Sequence, residues 1–203
     1  MVDIKDNTSI LIGPSPEIPN NTDYTKMRKT VYEKLVYAQT LFPFSLQFCL
    51  YESYRSIALQ KKLFDERFLK IQAQYSDWAV SDLFQETTKL ISPVIHLDGS
   101  SNVPPHSTGA AIDVYLIDRA TGQAVDMGIH PADWMGDIDG TLSETESAVI
   151  SQEAKEYRAL MSAALLQVGF VNYPTEYWHW SYGDRYWAYH TQNLIAFYGT
   201  VCE

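Results

Sequence analysis

Apolar residues recur at helical spacing in several stretches of the chain and predict amphipathic helices. Between Thr25 and about Leu41 they follow the i, i+3/i+4, i+7 pattern, and Pro43 then stops the helix. The strongest pattern ends at Gly169, a residue suited to the position just beyond a helix. The helices predicted in this way cover about residues 25–41, 56–75, 82–90, 144–168 and 185–197.

Shorter runs rich in β-forming residues predict strands over residues 45–52, 111–117 and 176–180. Turn-forming residues dominate the loops at 13–23, 97–108 and 127–141. Helices and strands do not alternate as regular βαβ units, which indicates an α+β fold with a small, mainly antiparallel sheet packed against helices. We expect one domain over residues 1–203, with residues 1–24 as an irregular lead-in.

The composition and charge of the chain exclude several classes of function. Apolar residues make up 46% and charged residues 20% of the sequence, which is typical of a globular protein rather than a disordered one. The formal net charge is -10, so long-range electrostatics would repel nucleic acid and anionic lipid surfaces. We therefore expect no nucleic-acid partner and no membrane partner.

Cysteine usage and the N-terminal sequence bear on the compartment. The two cysteines, Cys49 and Cys202, do not indicate a disulfide framework. The first residues lack the basic and apolar regions of a signal peptide, and no run of about 18 apolar residues occurs. These features favour a cytoplasmic protein, although a mature periplasmic chain stripped of its signal would look the same.

The first candidate metal ligands lie in the segment from His106 to Asp113. Asp113 lies between Ile112 and Val114 on a strand whose apolar sequence predicts burial. An unpaired carboxylate there would cost several kcal/mol. A cation would relieve that cost, and the small residues before Asp113 let the backbone bring His106 to the same ion. The alternative is an aspartate that caps a turn or pairs with an arginine.

The second candidate segment contains Glu176 and His179. On a regular strand the two side chains would point to opposite faces, so both reach one site only if Glu176 lies in the turn after Pro174, before the strand begins. The alternative is a half-buried aromatic strand with an incidental histidine.

Together the two segments supply two histidines, an aspartate and a spare glutamate, which is a complete set for a metal-dependent hydrolase. Catalytic zinc takes three protein ligands of these types and leaves a fourth position for water. The same donor set also accepts other divalent ions. The remaining histidines, His96, His130 and His190, are expected to be structural or exposed.

Three motifs resemble those of the zinc D-alanyl-D-alanine peptidases, which include VanX-type dipeptidases, VanY-type carboxypeptidases and, more distantly, the Hedgehog N-terminal fold. The segment His106-Ser107-Thr108-Gly109-Ala110-Ala111-Ile112-Asp113 is similar to the H-x-x-G-x-A-x-D signature of that family. Glu176-Tyr177-Trp178-His179 resembles its E-x-W-H element, and Tyr54-Arg55-Ser56 resembles its Y-R-P element. The likeness extends over about residues 25–190 and is strongest to the dipeptidase branch.

The resemblance implies a role for each site residue. His106, Asp113 and His179 would bind one Zn²⁺ per chain, Glu176 would be the general base, and Arg55 would hold the carbonyl oxygen as it becomes an oxyanion. The implied substrate is D-Ala-D-Ala or a closely related small dipeptide. The rival functions are a D,D-carboxypeptidase or peptidoglycan-cleaving peptidase on the same scaffold, and a zinc-binding module without activity.

The chain departs from the family pattern at three places. Ser56 stands where proline is usual, Trp180 follows His179, and the loop after Met127-Gly128 reads Ile-His-Pro-Ala-Asp. The loop difference lies near the expected substrate pocket. A dipeptidase also needs a partner for the substrate ammonium group, and the candidates are Asp126, Asp133 and the Ser101/Asn102 loop.

Overall fold

The structure of the protein is a computed structural model that describes residues 1–16 and 18–201. The helices are α1 (Lys29–Gln39), α2 (Ile57–Gln74), α3 (Val80–Thr87), α4 (Gln152–Gln167) and α5 (Arg185–His190). The strands are β1 (Val2–Asp3), β2 (Leu11–Ile12), β3 (Lys26–Met27), β4 (Leu46–Glu52), β5 (Ala111–Asp118), β6 (Val171–Tyr173) and β7 (Glu176–Ser181). Three short 3₁₀ helices cover Asp23–Thr25, His106–Thr108 and Pro131–Gly136.

The main sheet has five strands in the order β2-β4-β5-β7-β6. Its edge strand β2 runs parallel to β4, and the other neighbours are antiparallel. The strands β1 and β3 form a separate antiparallel pair. The predicted α+β class with a small, mainly antiparallel sheet is therefore confirmed.

The three central strands are buried on both faces, which explains why their sequences are almost continuously apolar. Ile112, Val114 and Leu116 of β5 have no solvent exposure, and all six residues of β7 are buried. Against this background Asp113 and His179 are exceptions, as are Glu52 and Glu176 near the same end of the sheet. Burying such side chains is costly unless they have hydrogen-bond or ionic partners, so their position indicates where a functional site lies in the sheet.

Several predicted helix boundaries are wrong. The first helix begins at Lys29 and not at residue 25, because residues 26 and 27 form β3 and pair with β1. The fourth begins at Gln152 instead of residue 144, because Ser151 caps it by accepting a hydrogen bond from the Ala154 amide. The last helix ends at His190, well short of residue 197.

The N-terminal lead-in also differs from the irregular segment expected over residues 1–24. It contains β1 and β2, each two residues long, and β2 extends the main sheet by pairing with β4. Strands this short leave no periodic signal in a sequence. Cys49 is buried with a free thiol, and Cys202 lies outside the described residues. No helix in the described part of the chain combines the length and apolar character needed to cross a membrane.

The buried guanidinium of Arg158 ties α4 to the loop that precedes it. Its Nε donates to the Met127 carbonyl at 2.8 Å, and its other nitrogens donate to the carbonyl oxygens of Leu142 and Glu144. The side chain is 1% exposed. Arg158 thus joins the non-helical segment before Ser151 to the body of α4.

We predict that Arg158→Met lowers the free energy of unfolding by about 3 kcal/mol or more, because it leaves several buried carbonyl groups without donors. Urea unfolding followed by tryptophan fluorescence measures the change. Arg119→Met is the matched control, since Arg119 is exposed. A loss in Arg158→Met no larger than in this control would contradict the prediction.

Candidate metal centre and active site

His106 is positioned by the 3₁₀ turn that leads into β5. Gly109 ends that turn with φ of 67°, a left-handed conformation that suits glycine. The His106 ring lies over the end of β4, where its Nδ1 is 2.7 Å from the carbonyl oxygen of Ser53. A carbonyl only accepts, so Nδ1 carries the proton and Nε2 is left as the free ligand atom.

Asp113 and His179 are cross-strand partners at the centre of the sheet, Asp113 on β5 and His179 on β7. Directly opposite residues place their side chains on the same face, which brings the carboxylate to the imidazole. Asp113 Oδ1 lies 3.0 Å from His179 Nδ1, and Asp113 Oδ2 lies 3.3 Å from His106 Nε2. The arginine partner considered for Asp113 is not found; its ion-pair partners among the described residues are these two histidines.

The ligand atoms of His106, Asp113 and His179 all lie within 4.8 Å of one another, the only such cluster in the described part of the chain. All three residues are at most 5% exposed. Tetrahedral zinc with ligands at about 2.0–2.2 Å separates them by about 3.3–3.6 Å, close to the two distances above. The geometry, the burial and the donor types therefore fit a zinc ion.

Electrostatics within the cluster favour a positive charge beside Asp113. Burial opposes ionisation of the carboxyl, but the two histidines outweigh it and hold the pKa of Asp113 well below its usual range. Burial also disfavours a charged His106 ring, yet the carboxylate of Asp113 raises the pKa of His106. A bound divalent cation would supply the same stabilisation without protonating a histidine.

Glu176 is the first residue of β7 and not, as predicted, a residue of the preceding turn. The register between β6 and β7 shifts between Asn172 and Tyr173, next to the Tyr173–Glu176 pair. This irregularity allows Glu176 and His179 to line one cavity although they are three residues apart. The conflict of faces predicted from the sequence is therefore resolved within the β6–β7 pair and not in the turn before β7.

The environment of the Glu176 carboxyl favours its protonated form in the metal-free protein. Burial, with a further contribution from Asp113, raises the pKa of Glu176 to about 8, while His179 and Arg55 oppose the rise. The indole Nε1 of Trp178 donates to Glu176 Oε2 at 3.0 Å and fixes the carboxyl. A cation at the neighbouring cluster would act in the same direction as His179 and lower this pKa.

Arg55 follows β4 and is 7% exposed. The Arg55 guanidinium donates two hydrogen bonds to the Glu52 carboxylate, one of them from Nε at 2.9 Å. Its NH1 donates a further hydrogen bond to Gln60 Oε1 at 3.0 Å. Neither Glu52 nor Gln60 was predicted as a site residue. The signal for Glu52 was an acid within a buried strand, three residues before an arginine.

The candidate site opens into one cavity of about 640 Å³. It is lined by the three cluster residues, by Arg55 and Glu176, and by aromatic residues from α3, α5 and the 3₁₀ helix at residues 131–136. His96 and His190, expected to be structural or exposed, are exposed at its mouth. His130 instead packs on Tyr115, with ring centroids 4.5 Å apart.

The residues considered as ammonium partners fall into two groups. Asn102 lines the cavity. Asp126 and Asp133 do not: Asp126 accepts a hydrogen bond from the Gly128 amide, and Asp133 lies exposed in a 3₁₀ helix. Two further cavity residues, Asp184 and Arg185, were not predicted as site residues; Asp184 caps α5 and Arg185 is its first residue, where the sequence carries no motif that indicates a site.

Comparison with known proteins places the motifs in a family. A family model described as D-ala-D-ala dipeptidase, of peptidase family M15, matches residues 25–197. A D-alanyl-D-alanine dipeptidase of Synechocystis sp. is 29% identical over 181 residues, which cover 77% of this chain and 70% of the relative. All five candidate site residues lie within the family match.

A solved structure of the LD-carboxypeptidase LdcB, described as revealing the molecular basis of peptidoglycan recognition, also aligns with the chain. It covers 92% of this chain and 73% of its own, with 16% sequence identity and a TM-score of 0.39, too low to support an inference. The family match has a firmer basis, since it spans most of the chain and contains the whole His–Asp–His cluster. The chain belongs to the D-Ala-D-Ala dipeptidase family and is a peptidase.

Proposed function

We propose that the protein hydrolyses the dipeptide D-Ala-D-Ala, or a closely related dipeptide, by zinc-dependent attack of water on the peptide bond. The observation that carries the proposal is the buried His106–Asp113–His179 cluster, which lines one cavity with Glu176 and Arg55. In this proposal the three cluster residues hold the ion. When bound, zinc would lower the pKa of a water molecule and polarise the scissile carbonyl.

Glu176 is the proposed general base. Its carboxyl lines the same cavity as the cluster and is oriented by the Trp178 indole. It would accept a proton from the attacking water and return that proton to the leaving amine. Such a group must be ionised before the attack, and a cation at the cluster favours its ionised form.

Arg55 is the proposed donor to the carbonyl oxygen as negative charge develops there. Glu52 and Gln60 hold the guanidinium at the cavity wall, so little reorganisation is needed when the substrate binds. Preorganised donors of this kind stabilise an oxyanion more effectively than water does. The pairing with Glu52 also balances the charge of Arg55, which leaves directional hydrogen bonding as its main contribution.

The size of the cavity favours a second candidate function. A volume of about 640 Å³ lies in the range of sites that enclose drug-sized ligands, and it exceeds what two alanine residues fill. A D,D-carboxypeptidase or another peptidase that acts on longer peptidoglycan peptides would use this space. The presence of both Glu176 and Arg55 argues against a zinc-binding module without activity.

We predict that the purified protein releases free D-alanine from D-Ala-D-Ala, that a chelator abolishes the release, and that stoichiometric Zn²⁺ restores it. A coupled assay for D-alanine measures the rate, and metal analysis gives the zinc content. Activity on a pentapeptide that ends in D-Ala-D-Ala, with none on the free dipeptide, would select the second candidate. Full activity without bound metal would refute the zinc-dependent mechanism.

We predict that Glu176→Gln lowers kcat by at least about 100-fold, because the amide cannot accept the proton. Zinc binding should remain at one ion per chain, since Glu176 is not a proposed ligand. Steady-state kinetics and metal analysis of the same sample test both points. Glu153→Gln, an exposed change on α4, is the control. Loss of zinc in Glu176→Gln would reassign this residue as a ligand.

We predict that Arg55→Lys lowers kcat about 100-fold to 1,000-fold, as expected when an oxyanion donor is removed. Lysine keeps the charge but lacks the planar fork that Glu52 and Gln60 hold in place. The comparison of kcat with KM is the measurement. A change confined to KM would mean that Arg55 binds the substrate without contributing to the transition state.

A further inference from the structure

A chain of hydrogen-bonded side chains runs along one wall of the cavity, away from the metal cluster. Arg55 NH1 donates to Gln60 Oε1 at 3.0 Å, and Gln60 Nε2 donates to the Ser92 carbonyl at 2.7 Å. Asn102 Nδ2 donates to Ser92 Oγ at 2.9 Å, and Arg185 NH2 donates to Asn102 Oδ1. All five residues line the cavity, and we call them the polar wall.

Asn102 fixes the far end of the polar wall. It is 6% exposed, and its amide nitrogen donates both to Ser92 Oγ and to the Pro93 carbonyl, the latter at 2.6 Å. With both donor hydrogens engaged, the amide oxygen must face Arg185. The guanidinium is therefore held at the cavity surface by a buried group, unlike that of an arginine on an open surface.

The two arginines of the polar wall differ in charge balance. Arg55 is neutralised by its ion pair with Glu52. Arg185 makes no ion pair with any described residue, and its hydrogen-bond partner is the neutral Asn102. The neighbouring Asp184 uses one carboxylate oxygen to cap α5, where it accepts from the Trp187 amide at 2.8 Å. Asp184 also lines the cavity, but Arg185 forms no ion pair with it or with any other described residue, so its positive charge faces the cavity without a contacting acid.

We propose that Arg185, oriented by Asn102, anchors a carboxylate group of the peptide substrate. The inference rests on the proposed peptidase function and deepens it, since it assigns a binding contact beyond the reacting bond. A guanidinium held on one edge keeps its remaining N–H groups free for a carboxylate, the partner that its fork geometry fits best. The scissile carbonyl would lie at the Arg55 end of the polar wall and the carboxylate at the Arg185 end.

Two carboxylates of a wall-type peptide have this chemistry. One is the C-terminal carboxylate of D-Ala-D-Ala, and the other is the free α-carboxylate of a γ-linked D-glutamate upstream of the reacting bond. Matched probes separate them. The first pair is D-Ala-D-Ala and its C-terminal amide; the second is L-Ala-γ-D-Glu-L-Lys-D-Ala-D-Ala and the same peptide with D-isoglutamine in place of γ-linked D-glutamate.

The test uses Arg185→Gln and Arg185→Lys in the zinc-loaded protein, with Arg119→Gln as a control arginine that does not line the cavity. Arg185 is exposed, so both variants are expected to fold. Arg185→Gln should raise KM about tenfold to a hundredfold for the peptide whose carboxylate is held, with kcat nearly unchanged. Its amidated counterpart should show no change, and Arg185→Lys should fall between the wild type and Arg185→Gln.

If Arg185 holds the C-terminal carboxylate, the substitution raises KM for D-Ala-D-Ala and for both pentapeptides but not for the dipeptide amide. If it holds the glutamate carboxylate, KM rises only for the pentapeptide with γ-linked D-glutamate. An equal rise in KM for D-Ala-D-Ala and its amide, or no rise for any of the four peptides, would overturn the proposal. Calorimetric binding of the same peptides to metal-free protein gives a readout independent of turnover. If the wild type hydrolyses none of the peptides, the proposed function fails. The difference in peptide affinity between the wild type and Arg185→Gln then still tests the role of Arg185. Absence of binding to the wild type would overturn that role as well.

Discussion

The buried carboxylate of Asp113 is the constraint around which the rest of the structure is organised. It lies at the centre of a sheet whose other buried positions are almost all apolar, and its two oxygens face His179 and His106. Removing a carboxylate from water costs several kcal/mol unless positive charge and donors surround it. The turn before β5, the β5–β7 register and the Ser53 carbonyl together meet that requirement.

Asp113 was also the residue that made the site predictable. A carboxylate within an apolar strand is a local signal, and so are the motifs that contain His106, Arg55 and His179. The helix start at Gln152 was harder to predict, because apolar periodicity continues upstream while the boundary is set by the side-chain cap of Ser151. Arg185 was missed for a different reason: its role depends on Asn102, which is 83 residues away in the sequence.

The site divides charge between two sides of one cavity. The metal cluster and Glu176 form a buried, acid-containing side, where a cation is favoured. The polar wall forms the other side, with Arg55 balanced by Glu52 and Arg185 without an ionic partner. A substrate with a polarised carbonyl and a free carboxylate would match this division, because the local field of Arg185 can attract a carboxylate despite the negative charge of the whole chain.

The register shift between β6 and β7 has a consequence for how this site can change in evolution. Because side chains alternate along a strand, adding or deleting one residue in the turn at 174–175 would change the pairing of β6 with β7 at the irregularity that lets Glu176 and His179 line one cavity. Exchanging residue types in the same turn keeps the length of the turn and therefore the pairing of the two strands. The hairpin should therefore accept substitutions far more readily than changes of length, and functional descendants of this chain should keep the number of residues between Tyr173 and His179.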